Sequence, residues 1–229
     1  MRHEGKVSIT KLIYQVMHTL IQFMKVRRRN FRYAPYNWSV IVEALQRYSP
    51  KIRVTPVTWR TPDIGWIKVN TDGASRGNSG RSSWAFCVRD ERGDVIQAQA
   101  REIEDLQSTN TEAEALAILQ ALRYLKDSQW DQIRIETDSL LLKNSIQRTW
   151  EIPWQIITMV EEIWRISEEK VVVIEHIYRE GNKLVDHLAN LALDTGDIQF
   201  NSFHDMESHC KRIVNSDKLQ LPCLRIRSC

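Results

Sequence analysis

Four acidic residues follow predicted strands or begin predicted helices, positions from which their side chains can meet. Asp72 follows the alternating run of "WIKVNTDGAS", and Asp138 follows "IRIET", a short run typical of a β-strand. Glu114 stands near the start of the helical pattern "TNTEAEALAIL", and Asp186 near the start of "NKLVDHLANLA". Because strand ends share one edge of a sheet, where α/β proteins form their ligand sites, we predict that the four carboxylates converge.

Each acid also has a local explanation. Thr111 and Glu114 fit a helix-capping box, and Asp138 fits an N-cap. Asp72 fits an Asx turn, and Asp186 suits the positive end of a helix dipole. Taken singly, these local roles are the better interpretation, whereas the four acids together favour a shared site.

Carboxylates packed together repel each other, and a cation must offset that repulsion. Oxygen ligands of this kind favour Mg²⁺, with Mn²⁺ as an alternative, over Zn²⁺. Two such ions roughly 4 Å apart can activate a water molecule and stabilise the leaving oxygen of a phosphodiester. No His, Cys or Lys nucleophile is then needed.

Hydrophobic periodicity predicts an α/β domain that positions these acids. Strands are predicted at 66–71, 83–89, 94–100, 132–136 and 171–178, and helices at 112–126, 138–147, 156–167 and 183–193. This order indicates a mixed sheet with helices on its faces. We divide the chain into a basic helical extension (1–48, with helices at 9–24 and 38–48), a proline-rich linker (49–63), the α/β domain (64–196) and a tail (197–229) with a short helix near 210–219.

Charge separates the extension from the rest of the chain. Residues 1–60 carry twelve Lys and Arg against two acids, whereas residues 61–229 carry twenty against twenty-seven. The segment "KVRRRNFRY" interleaves Arg27, Arg28 and Arg29 with aromatic residues, a pattern that fits contacts with phosphates and bases. A solvated helix end with cations at its C-terminus is an equally good interpretation.

Cysteine spacing and hydropathy bear on the compartment. Cys87, Cys210, Cys223 and Cys229 form no CxxC pattern, which favours a reducing, intracellular setting, nuclear or cytoplasmic. The apolar stretch 7–24 is too polar to span a membrane. A mitochondrial or plastid transit peptide is the secondary interpretation of the basic N-terminus.

Four motifs, "NTDGASRGNSG", "TNTEAEALAIL", "IETDSLLL" and "HIYREGNKLVDHLANLAL", resemble those of the ribonuclease H family in order and spacing. The nearest likeness is to its plant reverse-transcriptase-like group, derived from non-LTR retrotransposons. The resemblance implies a five-stranded mixed sheet with helices on both faces. It also implies cleavage of the RNA strand of RNA–DNA hybrids by a monomer, with two Mg²⁺ ions on Asp72, Glu114, Asp138 and Asp186.

The resemblance assigns further roles and leaves some positions open. Glu112 rivals Glu114, although the second Glu of "TEAEA" matches the catalytic place. Contacts with nucleic acid fall on Gly73, Ser75, Asn78, Asn110 and Ser139. The loop before the last helix lacks the His of bacterial-type enzymes, so we interpret His176 and His187 as structural, with Glu180 as a partial substitute. A catalytically impaired nucleic-acid-binding domain and an interaction protein using its N-terminal helix are the alternatives.

The basic segment gives a test of its own. Replacing Arg27, Arg28 and Arg29 together by Ala should weaken binding of an RNA–DNA hybrid and flatten its salt dependence, because each lost phosphate contact lowers the slope by about one. Fluorescence anisotropy over a salt series measures this slope. An unchanged slope would remove the segment from the interface.

Overall fold

The computed structural model describes residues 9–27, 37–46, 52–104 and 108–228. In chain order the elements are α1 (Ile9–Arg27), α2 (Trp38–Gln46), β1 (Ile52–Val57), β2 (Ile67–Ser75), β3 (Ser82–Arg89), β4 (Val95–Glu102), α3 (Asn110–Leu125), β5 (Gln132–Thr137), α4 (Leu140–Ile146), α5 (Ile157–Ser167), β6 (Val171–His176), α6 (Lys183–Thr195), β7 (Ile198–Phe200), α7 (Ser208–Lys218) and β8 (Cys223–Ser228). Single 3₁₀ turns precede α5, α6 and α7.

The chain divides into two compact units. One comprises residues 1–53 with 226–229, and the other residues 54–225. In the first unit, α1 and α2 pack around Met17, Ile21 and Ile41. Of the arginines predicted to contact nucleic acid, Arg27 ends α1, and the other two lie outside the described residues.

A mixed six-stranded sheet forms the centre of the larger unit, in the order β6-β5-β2-β3-β4-β7. The pairs β2–β3, β3–β4 and β4–β7 are antiparallel, whereas the pairs β2–β5 and β5–β6 are parallel. The predicted α/β fold is confirmed, but the sheet has six strands where the sequence indicated five. The additional strand, β7, is only three residues long, too short to produce a recognisable alternation. β1 lies in the predicted linker and pairs with β8 in a separate two-stranded sheet.

The two faces of the sheet differ because β3 alternates large and small side chains, and different helices cover each face. Trp84, Phe86 and Val88 point to the face covered by α3 and α5. Ala85 and Cys87 point to the opposite face, where they pack with Ala98, Ala100 and residues of α6 and α7. The bulky face holds the larger core, and the small face lets α6 lie close to the strands.

The C-terminal helix α7 is tied to the sheet by a buried ion pair. Arg89, at the end of β3, is fully buried, and its Nη1 donates to Asp217 Oδ2 of α7 at 2.8 Å. The guanidinium also lies 4.3 Å from the ring centre of buried Trp59. Residues beyond 196 therefore contribute to the interior of the larger unit.

Gly73 permits the close approach of α3 to β2. A Cβ atom built on Gly73 would lie 2.3 Å from the backbone nitrogen of Glu114 and 2.4 Å from the carbonyl carbon of Ala113. Only a residue without a side chain fits there. This contact places the first turns of α3 directly over the strand that carries Asp72.

Substituting Gly73 by Ala should therefore destabilise the protein by about 3 kcal/mol, since the added methyl group meets backbone that cannot rotate away. Urea denaturation measures the loss. Gly65→Ala is the matched control, because open space surrounds its Cβ position and its φ of +82° alone sets the penalty, about 1 kcal/mol. Equal losses in the two variants would contradict the close-packing explanation.

Candidate active site

Three carboxylates from three separate elements meet at one edge of the sheet. Asp72 comes from β2, Glu114 from α3, and Asp138 directly follows β5; one oxygen of each lies within 4.8 Å of the others. Asp186, in the first turn of α6, lines the same cavity of about 340 Å³. The remaining lining residues are Gly73, Ala74, Ser75, Asn110, Arg179 and Asn190.

Asp72 lies within its strand and does not end it, which corrects the prediction from the sequence. The parallel pairing of β2 with β5 stops at Thr71 opposite Thr137, but the antiparallel pairing with β3 continues to Ser75. Asp72 thus sits where one neighbouring strand has ended and the other persists. The missing neighbour leaves room for the cavity, and the Gly73 amide donates to Asp72 Oδ1 at 2.8 Å.

Helix capping distinguishes the roles of the two candidate glutamates, Glu112 and Glu114. Thr109, not Thr111, is the N-cap of α3, and it forms a capping box with Glu112. The Glu112 carboxylate accepts from the Thr109 amide at 2.7 Å. The same T-x-x-E spacing occurs twice in the sequence, and the upstream copy caps the helix. Glu114 is therefore free of capping and faces the cavity.

Two residues predicted to contact nucleic acid hold Glu114 in place. Asn110 Nδ2 donates to Glu114 Oε1 at 2.7 Å, and the Ser139 hydroxyl also hydrogen-bonds this carboxylate. Asn78, at a φ of 48°, accepts from the Asn110 amide at 3.1 Å and so joins the glycine-rich turn to α3. These residues lie at or next to the cavity and position its acids.

Asp138 presents an unpaired oxygen. Ser139, not Asp138, caps α4, and the buried Oδ1 of Asp138 has no hydrogen-bond partner among the described residues. Burial raises the pKa of Asp138, and the charge of Asp186 adds to this, while Arg179 opposes it. An orphaned carboxylate oxygen beside two other acids suits a hard cation.

The crowding of charge also acts on the other two acids. Burial, followed by the charges of Asp138, Asp186 and Glu114, raises the pKa of Asp72 well above its ordinary value. Burial raises the pKa of Glu114 to about 7, against the hydrogen bonds from Ser139 and Asn110. The folded protein therefore holds these acids at a cost in free energy, which a bound cation would offset.

Arg179 is a site residue that no motif in the sequence identifies. It lies in the 3₁₀ turn before α6, lines the cavity and forms an ion pair with Asp186. The charges of Asp72 and Asp138 also raise the pKa of its guanidinium, after the contribution of Asp186. The sequence "YREGNK" shows an arginine in a polar loop, but nothing local indicates that it turns toward the acids.

The histidines and Glu180 lie in different surroundings. His176 ends β6 opposite Thr137, and its electrostatic interaction with Asp138 lowers the pKa of that carboxyl. His187 is hydrogen-bonded to Glu207, and Glu180 forms an ion pair with Arg225 at 2.8 Å. His176 interacts electrostatically with Asp138, a cavity acid, and its place within a strand did not suggest that proximity.

A buried polar network lies beneath the cavity and connects β2, β5 and α6. Lys68 Nζ donates to Glu136 Oε1 at 2.5 Å, and Asn70 Nδ2 donates both to Glu136 Oε2 at 3.0 Å and to Asn182 Oδ1 at 3.1 Å. Asn182 Nδ2 in turn donates to the Thr71 carbonyl at 3.0 Å. Because Asn182 immediately precedes α6, this network fixes the start of that helix against the strand beside it.

Comparison with known proteins agrees with this geometry. The family model described as "Reverse transcriptase-like" matches residues 70–192, more than half of the chain. The chain belongs to the ribonuclease H family. The match spans all four cavity acids, from β2 to α6.

Relatives share this region. A ribonuclease H-like protein of Arabidopsis thaliana is 28% identical over 170 residues, covering 71% of this chain and 26% of that protein. A ribonuclease H of Syntrophomonas wolfei is 33% identical over 91 residues, covering 39% of this chain and 58% of the enzyme. The crystal structure of LC11-RNase H1 in complex with an RNA/DNA hybrid superposes with a TM-score of 0.52 at 30% identity, covering 56% of this chain and 96% of that one.

The likeness has defined limits. This ribonuclease H family member spans about a quarter of the length of the Arabidopsis relative and less than two thirds of the Syntrophomonas enzyme. Among the helices that the structure describes, none combines the length and hydropathy needed to cross a bilayer.

The electrostatic cost of the site predicts a stabilising substitution. In metal-free solution at mildly alkaline pH, Asp72→Asn should raise the free energy of unfolding by about 1–3 kcal/mol, because a carboxyl whose pKa is raised on folding destabilises the fold above that pKa. The gain should vanish as the pH falls below the unfolded value of about 4, where both states are protonated. Urea denaturation in EDTA measures it.

Asp127→Asn, at an exposed position remote from the cavity, is the matched control and should leave stability unchanged. Added Mg²⁺ should narrow the gap between Asp72→Asn and wild type, since the ion stabilises only the wild-type site. A destabilised Asp72→Asn protein would show that this carboxylate is held by favourable local contacts instead.

Proposed function

We propose that this chain is a divalent-metal-dependent endonuclease that hydrolyses the RNA strand of RNA–DNA hybrids by a two-metal mechanism. The observation that carries the proposal is the convergence of Asp72, Glu114 and Asp138 from three elements, with a buried Asp138 oxygen left unpaired. The solved relative that superposes on this chain is bound to such a hybrid, which supports the choice of substrate.

The donor set fits Mg²⁺, with Mn²⁺ as a substitute, because it consists of carboxylate oxygens with raised pKa values. Asp72, Glu114 and Asp138 would hold the metal, and Asp186 would join them. When bound, the ions supply an activated water and stabilise the leaving oxygen of the phosphodiester. Arg179 is paired with Asp186 through Oδ1, which leaves Oδ2 as the oxygen that would reach the metal while this ion pair persists.

The protein's own groups orient these ligands. The Gly73 amide fixes Oδ1 of Asp72, a residue that lines the cavity. Hydrogen bonds from Asn110 and Ser139 hold the Glu114 carboxylate. Such supporting hydrogen bonds hold ligand geometry during catalysis and keep the acids from moving apart.

The same cavity wall supplies groups for the nucleic acid. Gly73, Ser75 and Asn110 line the cavity. Asn78 accepts from the Asn110 amide, and Ser139 hydrogen-bonds the Glu114 carboxylate. We assign these residues to the sugar–phosphate backbone beside the cut site. Recognition of RNA would rest on contacts with 2′-hydroxyl groups across the wide minor groove of the hybrid.

A second function, binding of the hybrid without cleavage, is favoured by one observation. Arg179 already neutralises Asp186, and a guanidinium that keeps this position would take the place of a cation. A retrotransposon-derived domain of this kind would bind nucleic acid but leave it intact.

Hydrolysis of a hybrid labelled on its RNA strand, in Mg²⁺, tests the proposal. We expect cleavage by the wild type, and a loss of at least about 100-fold in Glu114→Gln and Asp138→Asn, because metal clamping supplies several kcal/mol and each ~1.4 kcal/mol is tenfold in rate. Duplex DNA and duplex RNA should stay intact.

Glu112→Gln is the matched control, since it changes the same residue type two positions away and affects only the helix cap. It should retain cleavage. Equal activity in Glu112→Gln and Glu114→Gln would contradict the assignment of the site. Hybrid binding by a wild type that cleaves in neither Mg²⁺ nor Mn²⁺ would establish the second function.

A further inference from the structure

A second group of metal-ligating side chains joins α6 to α7, separate from the carboxylate cavity. His187 comes from α6, Glu207 immediately precedes α7, and Cys210 lies in the first turn of α7. His187 Nε2 lies 2.8 Å from Glu207 Oε1, and Cys210 Sγ lies 3.7 Å from that same oxygen. One ligand atom from each residue lies within 4.8 Å of the others.

Burial gives this group the form of a site open on one side. Cys210 is fully buried, whereas the side chains of His187 and Glu207 are 29% and 45% exposed. The sulfur forms the base, and the imidazole and carboxylate form the rim. The ring centre of His209 lies 4.4 Å from that of His187, and its Nδ1 lies 3.2 Å from Arg212 Nη2, so His209 packs beside the group without joining it.

The chemistry of the donors selects the ion. Sulfur, imidazole nitrogen and carboxylate oxygen together are zinc ligands, whereas Mg²⁺ takes oxygen ligands almost alone. With bonds of about 2.0–2.3 Å, a tetrahedral zinc centre spaces its ligand atoms by roughly 3.3–3.8 Å. The 2.8 and 3.7 Å separations reach this spacing with small side-chain rotations.

We propose that His187, Glu207 and Cys210 bind one zinc ion that fastens α7 to α6, with the fourth position taken by solvent on the open side. On binding, the Cys210 thiol releases its proton to solvent, and the thiolate, the imidazole lone pair and the carboxylate become ligands. The site does not depend on the nuclease function, because none of these three residues lines the carboxylate cavity.

The competing explanation is a metal-free hydrogen-bonded trio. Burial, with the charge of Glu207, raises the pKa of the Cys210 thiol to about 12, so without a cation the sulfur stays protonated and donates to the carboxylate. A divalent ion among these groups reverses the preference. The two explanations therefore differ in whether a thiolate forms when metal is added.

Cobalt substitution of the full chain distinguishes them. Co²⁺ added to protein stripped with EDTA should produce a thiolate-to-cobalt charge-transfer band at one equivalent, together with the visible bands of tetrahedral cobalt, and Zn²⁺ should abolish both. Zn²⁺ should also raise the melting temperature, since it binds only the folded site. An Asp72→Asn/Asp138→Asn protein should show the same band, because oxygen ligands give no thiolate transition.

Cys210→Ser and His187→Gln should lose the band and the thermal shift. Cys223→Ser and His204→Gln are the matched controls, which change a cysteine and a histidine outside the group and should keep both. Circular dichroism checks the folding of Cys210→Ser, and His187→Gln, at the exposed rim, gives an independent test. A wild type without the thiolate band, or a band that persists in Cys210→Ser, would overturn the zinc site, whatever the result of the hybrid cleavage assay.

Discussion

Repulsion among buried carboxylates is the constraint around which this fold is arranged. Asp72, Glu114 and Asp138 would separate if their backbones allowed it, yet each is fixed by an element with its own packing. β2 is central in the sheet, α3 is pressed onto it at Gly73, and β5 pairs in parallel beside it. The hydrophobic core beneath α3 and α5 supplies the free energy that holds these charges together.

The arrangement illustrates how a functional site draws on the stability of its surroundings. The acids have raised pKa values because burial and mutual charge both oppose ionisation. The polar network from Lys68 to Asn182 shows the opposite condition, since its members are buried but hydrogen-bonded to one another. The polar groups of this network thus pair with one another, whereas the cavity acids are left to be paired by a ligand.

Much of this could be predicted from the sequence because its signals are local. The helices and strands of the α/β domain follow from periodicity, and the spacing of four acidic motifs identifies the family. The predicted cap of α3 was the wrong threonine because "TNTEAE" contains two overlapping copies of one pattern, and nothing in the local sequence selects between them. The extent of β2 depends on β3, a partner that no local pattern identifies. Arg179 reaches the acids through the fold of a turn, and β7 pairs only because β4 offers an open edge.

The buried ion pair between Arg89 and Asp217 has a consequence for where this protein can be divided. Arg89 belongs to β3, within the region that the family model matches, but its counterion Asp217 comes from α7, beyond the end of that region. A chain shortened after α6 would lose both the carboxylate that pairs with Arg89 and the buried Met206, Cys210 and Val214, which complete the core on the α6 face of the sheet. The region of family likeness, residues 70–192, is therefore smaller than the compact unit of residues 54–225. A truncated domain chosen by homology alone would lack part of the core of that unit.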